Sequence, residues 1–229
     1  DVGGRTSIAA MRAEAEAAFG PVQLLFANAG ATNFQRLTEI ADNDIDWLIQ
    51  VNLMGVINTV KAFLPGMIAA GGGHVVATSS MAGLLPGWIP LHTIYSAAKL
   101  GIIGFMMNLA MEVRQHGIQV STYCPGGVDS GIGLRNSSYR PEKFGGPVEG
   151  RMVVPKESYV GNPVKLYAPE AIGLIVLAAV RGDQPFIFDH SDHAKEFRET
   201  YASVVEACFG HIAEWEREHG VPEVVRVQN

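Results

Sequence analysis

The sequence predicts an α/β chain built on an open, mostly parallel sheet with helices on both faces. Three observations predict it: short apolar β-forming runs recur, stretches with helical apolar stripes separate them, and Gly or Pro breaks stand at the joins.

Residues 5–19 are rich in Ala, Glu and Met, with Ile8, Met11, Ala15 and Ala18 at helical spacing, and Gly20-Pro21 stops the helix. Residues 22–27, Val-Gln-Leu-Leu-Phe-Ala, then predict a buried strand. A second helix is expected from Asp42, whose carboxylate can cap free backbone donors. It carries Ile45, Leu48, Ile49 and Leu53 inward and runs towards Phe63, with Pro65-Gly66 as a fraying end or a kink. The turn Gly71-Gly72-Gly73 leads into a strand at residues 74–78. Residues 95–116 predict a helix with Ile102, Phe105, Leu109 and Val113 as its stripe. Gly117 ends it, and residues 118–123 form the next strand, broken by Cys124-Pro125-Gly126-Gly127.

The pattern then changes. Residues 131–165 are rich in Gly, Pro, Ser and charge, which predicts a long excursion with at most short helices, of a length that is often functional. Helical periodicity resumes at 169–180, residues 186–188 make a short strand, and 191–218 are mainly helical.

Length and composition limit what such a chain does. Its 229 residues suit one sizeable core, and 48% hydrophobic content with 17% charge describes a globular chain. With 23 acidic against 17 basic residues, the net charge of −6 gives no electrostatic reason to expect a nucleic-acid partner. Two cysteines without metal-ligand spacing suit a reduced, cytoplasmic protein, and Cys208 reads as a small core residue. The best candidate for an uninterrupted apolar run, 172–180, is far short of the roughly 20 residues that span a bilayer, so no membrane partner is expected. The opening Asp-Val-Gly-Gly-Arg has neither a basic leader nor an apolar h-region.

In parallel sheets, sites lie beyond the carboxyl ends of the strands. Here those ends deliver Asn28, Ser79-Ser80 and Pro125-Gly126. Tyr95 and Lys99 stand four apart near a helix start, so they share a face about 6 Å apart along the axis. A phenol ionises near pH 10 and needs nearby positive charge to carry protons at neutrality, which a lysine ammonium supplies. Ser80 follows a strand and should face the same edge, where its hydroxyl can hold an alcohol or carbonyl oxygen. The same spacings also describe an ordinary helix-surface pair and a serine that caps a turn.

The ordered set Asn28-Ala29-Gly30, Val51-Asn52-Leu53, Ser79-Ser80, Tyr95-Ser96-Ala97-Ala98-Lys99 and Pro125-Gly126-Gly127-Val128-Asp129-Ser130 resembles the short-chain dehydrogenase/reductase family across nearly the whole chain. The resemblance implies a Rossmann-like, doubly wound parallel sheet in a single domain with a C-terminal helical extension. It implies an NAD(P)-dependent enzyme that moves hydride between a nicotinamide cofactor and a secondary alcohol or ketone. Asn52, Ser80, Tyr95 and Lys99 become its catalytic residues, with Asn52 at a helix irregularity. Asp1, Asn28, Ala29, Gly30, Tyr95, Lys99, Pro125, Gly126, Val128 and Ser130 become cofactor-binding residues. The Ser80 to Tyr95 spacing is longer than is usual in the family, so the register among Thr78, Ser79 and Ser80 stays open. The cofactor is NAD or NADP, with a slight preference for NAD.

The family opens with a strand, a glycine-rich turn and a helix that hold the dinucleotide phosphates, and this chain starts beyond them. Roughly 60 further N-terminal residues are therefore expected in the natural protein. On this reading residues 1–190 are an incomplete dinucleotide-binding and catalytic domain, and 191–229 form a helical extension packed on that domain or at a subunit interface. The family also implies a homodimer or homotetramer.

Trp88, His92, Tyr139, Phe144 and Tyr159 are candidates, with Ser80 and Tyr95, to line the substrate pocket, and 131–165 to act as its lid or as an assembly surface. The tail and motif set are similar to bacterial dehydrogenases of aryl secondary alcohols, so an aromatic substrate is one expectation; steroid, sugar-derived and aliphatic alcohols are others. The run Asp189 to His193 contains metal-ligand types but suits a polar turn and helix cap, and no metal is expected. The alternative function is a non-catalytic cofactor-binding regulatory or structural protein of the same fold.

Overall fold

A computed structural model describes residues 1–148, 153–158 and 165–221. Within Asp1–His190, the first of two compact units, helix α1 (Arg5–Phe19) is followed by strand β1 (Leu24–Ala27). Next come α2 (Asp42–Ile49), a π-helical segment (Gln50–Met54) and α3 (Gly55–Ala69), then β2 (Gly73–Thr78). The short α4 (Met81–Leu84) and the long α5 (Thr93–Val113) lead to β3 (Ile118–Cys124). The single turn α6 (Ile132–Arg135) and α7 (Pro169–Arg181) lead to β4 (Phe186–Phe188).

Among the described residues the strands form one sheet in the order β1-β2-β3-β4, and every pairing is parallel. Parallel neighbours require the chain to return to its starting edge between strands, and the helices make those returns. The Rossmann-like α/β reading is thereby met.

Side chains alternate across the sheet, so the β-branched runs feed two cores. Val75, Ala77, Leu25 and Ile118 face Val60, Phe63 and Met67 of α3 and Ile102, Met106 and Val113 of α5. Val76 and Tyr123 face the opposite way, onto Ile172, Val176 and Ala179 of α7. Helices cover both faces, as the sequence predicts.

Several local expectations are corrected. The 22–27 strand is shorter and buries only Leu25 and Ala27, while Leu24 and Phe26 are partly exposed on the other face. The helix beginning at Asp42 is not capped by that side chain; Ala41 occupies the cap, and Asp42 and Asp44 place negative charge in the first turn, where the helix dipole favours it. Pro65 does not end its helix, which continues to Ala69. By length and composition, Asp42–Ala69 (28 residues, mean hydropathy 1.3) and Thr93–His116 (24 residues, mean hydropathy 1.4) are long and apolar enough to cross a bilayer, unlike the shorter run singled out from sequence. Their apolar stripes are the surfaces that meet the sheet.

In the described part of 131–165, α6 and two 3-10 turns, Ser137–Tyr139 and Glu142–Phe144, are the regular elements, as expected. Tyr159 lies outside the described residues.

The second unit begins at Ser191. It holds α8 (His193–Phe197), a π-helical segment (Arg198–Ala202) and α9 (Ser203–His219). Cys208 is exposed on α9 rather than a core residue, because the helix buries none of its side chains.

Ile102 is completely buried where α5 meets the sheet. Replacing it with Ala should lower unfolding stability by about 2–5 kcal/mol in urea titration, the cost of a large-to-small change with a cavity left behind.

Candidate active site

Because the strands are parallel, their carboxyl ends open onto one edge, and a cleft of about 1320 Å³ lies there. Asp1, Asn28, Ala29, Gly30, Ser80, Tyr95, Lys99, Pro125, Gly126, Val128, Ser130 and Tyr139 all line it. Residues scattered from 1 to 139 in sequence thus meet at one place.

At the end of β2 the three hydroxyls, all lining the cleft, have different partners. Thr78 Oγ1 donates to Asn28 Oδ1 at 2.7 Å and ties β2 to the end of β1. Ser79 is fully buried and donates to the Lys99 carbonyl at 2.7 Å, which fixes the backbone of α5. Ser80 accepts from Ala82 N at 3.1 Å, capping α4, and its hydroxyl neighbours the Tyr95 phenol. Ser80 thus both caps α4 and lines the cleft.

Burial pushes the Tyr95 phenol up to about 12, and the neighbouring Ser80 hydroxyl draws it partly back. At neutral pH it therefore carries its proton. Lys99 is 2% exposed; its Nζ donates to the Thr78 carbonyl at 2.8 Å and sits 5.5 Å from the Tyr95 ring centre. Burial lowers the ammonium to about 8, and the charge of the Cys124 thiolate form opposes that shift. Burial in turn raises the Cys124 thiol to about 12, which leaves Cys124 uncharged at neutrality.

Asn52 lies below the cleft floor, fully buried in the π-helical segment. Its Oδ1 accepts from Ala31 N at 3.1 Å, and its Nδ2 donates to the carbonyls of Ala31 at 2.8 Å and Leu48 at 2.9 Å. The π-helical widening leaves the Leu48 carbonyl for the side chain to satisfy. Gly30 sits over this pair: a Cβ there would approach Asn52 Oδ1 to 3.0 Å and Lys99 Nζ to 3.4 Å.

The opposite wall is held by an acid that sequence reading placed in a polar turn. Asp189, at the end of β4, has a fully buried carboxylate. It accepts from the Tyr123 hydroxyl at 2.6 Å and from Gly126 N at 2.8 Å, and its Oδ1 lies 2.6 Å from His190 Nδ1. Burial and this carboxylate push the Tyr123 phenol far above its ordinary value. His190 also faces the Lys165 carbonyl at 3.2 Å and stacks on Tyr167. Among the described residues no group of three or more His, Cys, Asp or Glu is placed to hold a metal ion.

Three of the expected substrate residues do not line the cleft. His92 is buried beneath Tyr95, with ring centroids 4.4 Å apart. Phe144 packs on the cluster of Ala31, Trp47 and Leu48. Trp88 lies in the turn after α4, its backbone N–H donating to the Leu85 carbonyl. Aromaticity finds such residues in sequence, but the side they face depends on tertiary packing. Trp47 and Ile132 line the cleft instead.

A family model described as short chain dehydrogenase matches residues 1–139. The C alpha-dehydrogenase of Sphingobium sp. strain SYK-6 is 38% identical over 147 residues, 63% of this chain and 47% of that protein. Oxidoreductase UcpA of Escherichia coli K12 is 38% identical over 126 residues, 55% of this chain and 48% of that protein. The chain thus spans about half the length of the curated relatives it matches. A short chain dehydrogenase/reductase from Burkholderia phymatum, solved in complex with NAD, superposes with a TM-score of 0.76 over 99% of this chain and 78% of its own, at 24% identity; this likeness shows the fold alone.

Gly83 had no signal in the sequence beyond its place after the Ser-Ser pair. A Cβ there would lie 2.7 Å from the Lys99 carbonyl carbon and 2.8 Å from Leu100 N, so only glycine lets α4 press against α5. Since Ser80 caps α4 and Lys99 belongs to α5, Gly83→Ala should part the two. The expected result is a larger loss of turnover than of thermal stability, read from kcat beside the melting temperature; unchanged kcat would sink this role.

Proposed function

On the premise that this chain belongs to the short-chain dehydrogenase/reductase family, we propose that it works as a nicotinamide-dependent oxidoreductase interconverting a secondary alcohol and its ketone. One observation carries the reading: a phenol, a serine hydroxyl and a buried ammonium converge at the cleft edge, with Tyr95 neighboured by Ser80 and flanked by Lys99.

The cleft fits the reactive end of a dinucleotide. At Gly30 a side chain would crowd Asn52 and Lys99, so glycine lets this backbone close on both, while Asn28, Ala29 and Gly30 line the cleft where a flat ligand would lie. Across the cleft, Pro125, Gly126 and Val128 would hold the nicotinamide face, and Ser130 would offer its hydroxyl to the carboxamide. Asp1 would meet the adenosine end. The bound cofactor supplies the hydride chemistry.

The chain's own groups manage the proton. Ser80 holds the substrate oxygen, and Tyr95 gives its proton to that oxygen in ketone reduction or takes one in alcohol oxidation. Lys99 stabilises the phenolate by charge, and Asn52 fixes the floor beneath both. NAD is slightly preferred over NADP. An aryl secondary alcohol is the favoured substrate, supported by the similarity to the Sphingobium C alpha-dehydrogenase and by Trp47, Ile132 and Tyr139 in the cleft wall. Assembly as a homodimer or homotetramer in the cytoplasm belongs to the same reading, as does packing of the helical extension on the domain or at a subunit interface.

Tyr95→Phe keeps the ring and removes the oxygen, so turnover should fall by about 10²–10⁴-fold while dinucleotide affinity, read by calorimetry, holds within a few-fold. Unchanged turnover would reject Tyr95 as the proton carrier.

The pH profile has a defined sign. A phenol held at about 12 is in its donor form throughout the neutral range, so ketone reduction should not be limited there by Tyr95. Lys99, lowered to about 8, carries its charge below that pH and loses it above. Ketone reduction should therefore decline as pH rises through about 8, and Lys99→Met should abolish that limb along with most of the rate. A wild-type profile flat to pH values well above this would contradict the assignment.

A further inference from the structure

The segment leaving β1 crosses the cleft floor gripped by two asparagine amides. Asn52 pairs with both backbone groups of Ala31 from the interior. Asn136 does the same to the next residue: its Oδ1 accepts from Thr32 N at 2.8 Å, and its Nδ2 donates to the Thr32 carbonyl at 2.6 Å. Consecutive residues Ala31 and Thr32 are thus each clamped by one asparagine.

The second clamp comes from the wall. Asn136 directly follows α6 and, with Ile132, Tyr139 and Pro141, lines the cleft. Four residues on, Arg140 pairs with the Asp44 carboxylate and lies over the Trp47 ring at 5.3 Å. The wall is thus anchored on either side of Tyr139.

Thr32 passes the clamp onward. Its Oγ1 lies 2.7 Å from His92 Nε2, and the His92 ring is stacked between Phe34 at 4.3 Å and Tyr95 at 4.4 Å. The Gln35 amide donates to the Leu91 carbonyl at 3.0 Å and holds the two loops side by side. His92 Nδ1 is buried with no partner. An unpaired acceptor costs less than an unpaired N–H, so Nε2 carries the proton and donates to Thr32. Burial pushes this imidazole down to about 4, so it is neutral in the working range.

We propose that Asn136 is a positioning residue: it latches the 131–148 wall to Thr32, and through Thr32 and His92 the seating of the Tyr95 ring depends on that wall. Its effect on catalysis rests on the proposed oxidoreductase function, whereas the latch itself does not.

The test uses Asn136→Ala and Thr32→Val in the same protein, with two readouts besides turnover. Hydrogen exchange should show the Thr32 amide opening about ten-fold faster or more in Asn136→Ala, with the Ala31 amide, still held by Asn52, unchanged. In Thr32→Val, which keeps both backbone bonds to Asn136, the amide of residue 32 should stay protected. The tyrosine ring resonance that disappears in Tyr95→Phe should move in both variants, since both uncouple His92 from the clamp. On a secondary alcohol that the wild type oxidises, kcat should fall about ten- to a hundred-fold in Asn136→Ala with dinucleotide affinity held. The double variant should be little worse than Asn136→Ala alone, as expected for residues acting in one network.

A Thr32 amide that stays protected in Asn136→Ala overturns the latch. A Tyr95 resonance unmoved in both variants overturns the link to the phenol. If the wild type turns over no secondary alcohol with NAD or NADP, the proposed function fails, and exchange and resonance still decide the latch.

Discussion

A buried ammonium is what the rest of the site answers to. Lys99 is almost wholly removed from water, and a charge in that position is costly unless backbone and side-chain dipoles surround it. Thr78 offers its carbonyl because Ser79 holds the Lys99 backbone against β2, and Gly83 lets α4 come close enough to bring Ser80 to the same edge. Tyr95 shares the desolvation that lowers the lysine and raises the phenol. The two shifts run in opposite directions, so at neutrality the phenol keeps its proton and the lysine keeps its charge beside it.

The parts legible in the sequence are those set by local period and by the strand-end rule. Alternation and helical stripes gave β2, β3, α5 and α7 within a few residues, and parallel order then carried Asn28, Ser80 and Pro125 to one edge. The misjudged features depend on what lies across the fold. Pro65 stays helical, and Cys208 is exposed on a helix with no buried side chain. His92 and Phe144 face packing rather than cleft, a choice made by Phe34, Trp47 and Leu48 on other segments. The pairings of Asn136 with Thr32 and of Asp189 with Gly126 join residues 104 and 63 apart in sequence, and no local pattern announces them.

Those two long-range pairings share a physical logic. Each uses a side chain with two hydrogen-bonding atoms to fix backbone that has no strand or helix partner of its own. A loop beyond a strand end must satisfy its N–H and C=O groups somewhere, and water is a poor choice where a ligand has to lie. Asn52 and Asn136 satisfy the floor, and the Asp189 carboxylate satisfies the Pro125–Gly126 wall while also engaging Tyr123.

The consequence is a division of labour between chemistry and shape. Tyr95, Lys99 and Ser80 are held by β2, α4 and α5, which belong to the sheet and its cover, so their spacing follows from the fold. The outer side of the cleft is held by irregular segments whose position is set by single polar side chains: Asn136 for the floor and Arg140 for the wall. Changes in the excursion can therefore reshape the wall at Ile132 and Tyr139 without disturbing the sheet. Thr32 and His92 join the two halves, so the proposed latch would tie the seating of the phenol to the position of that wall.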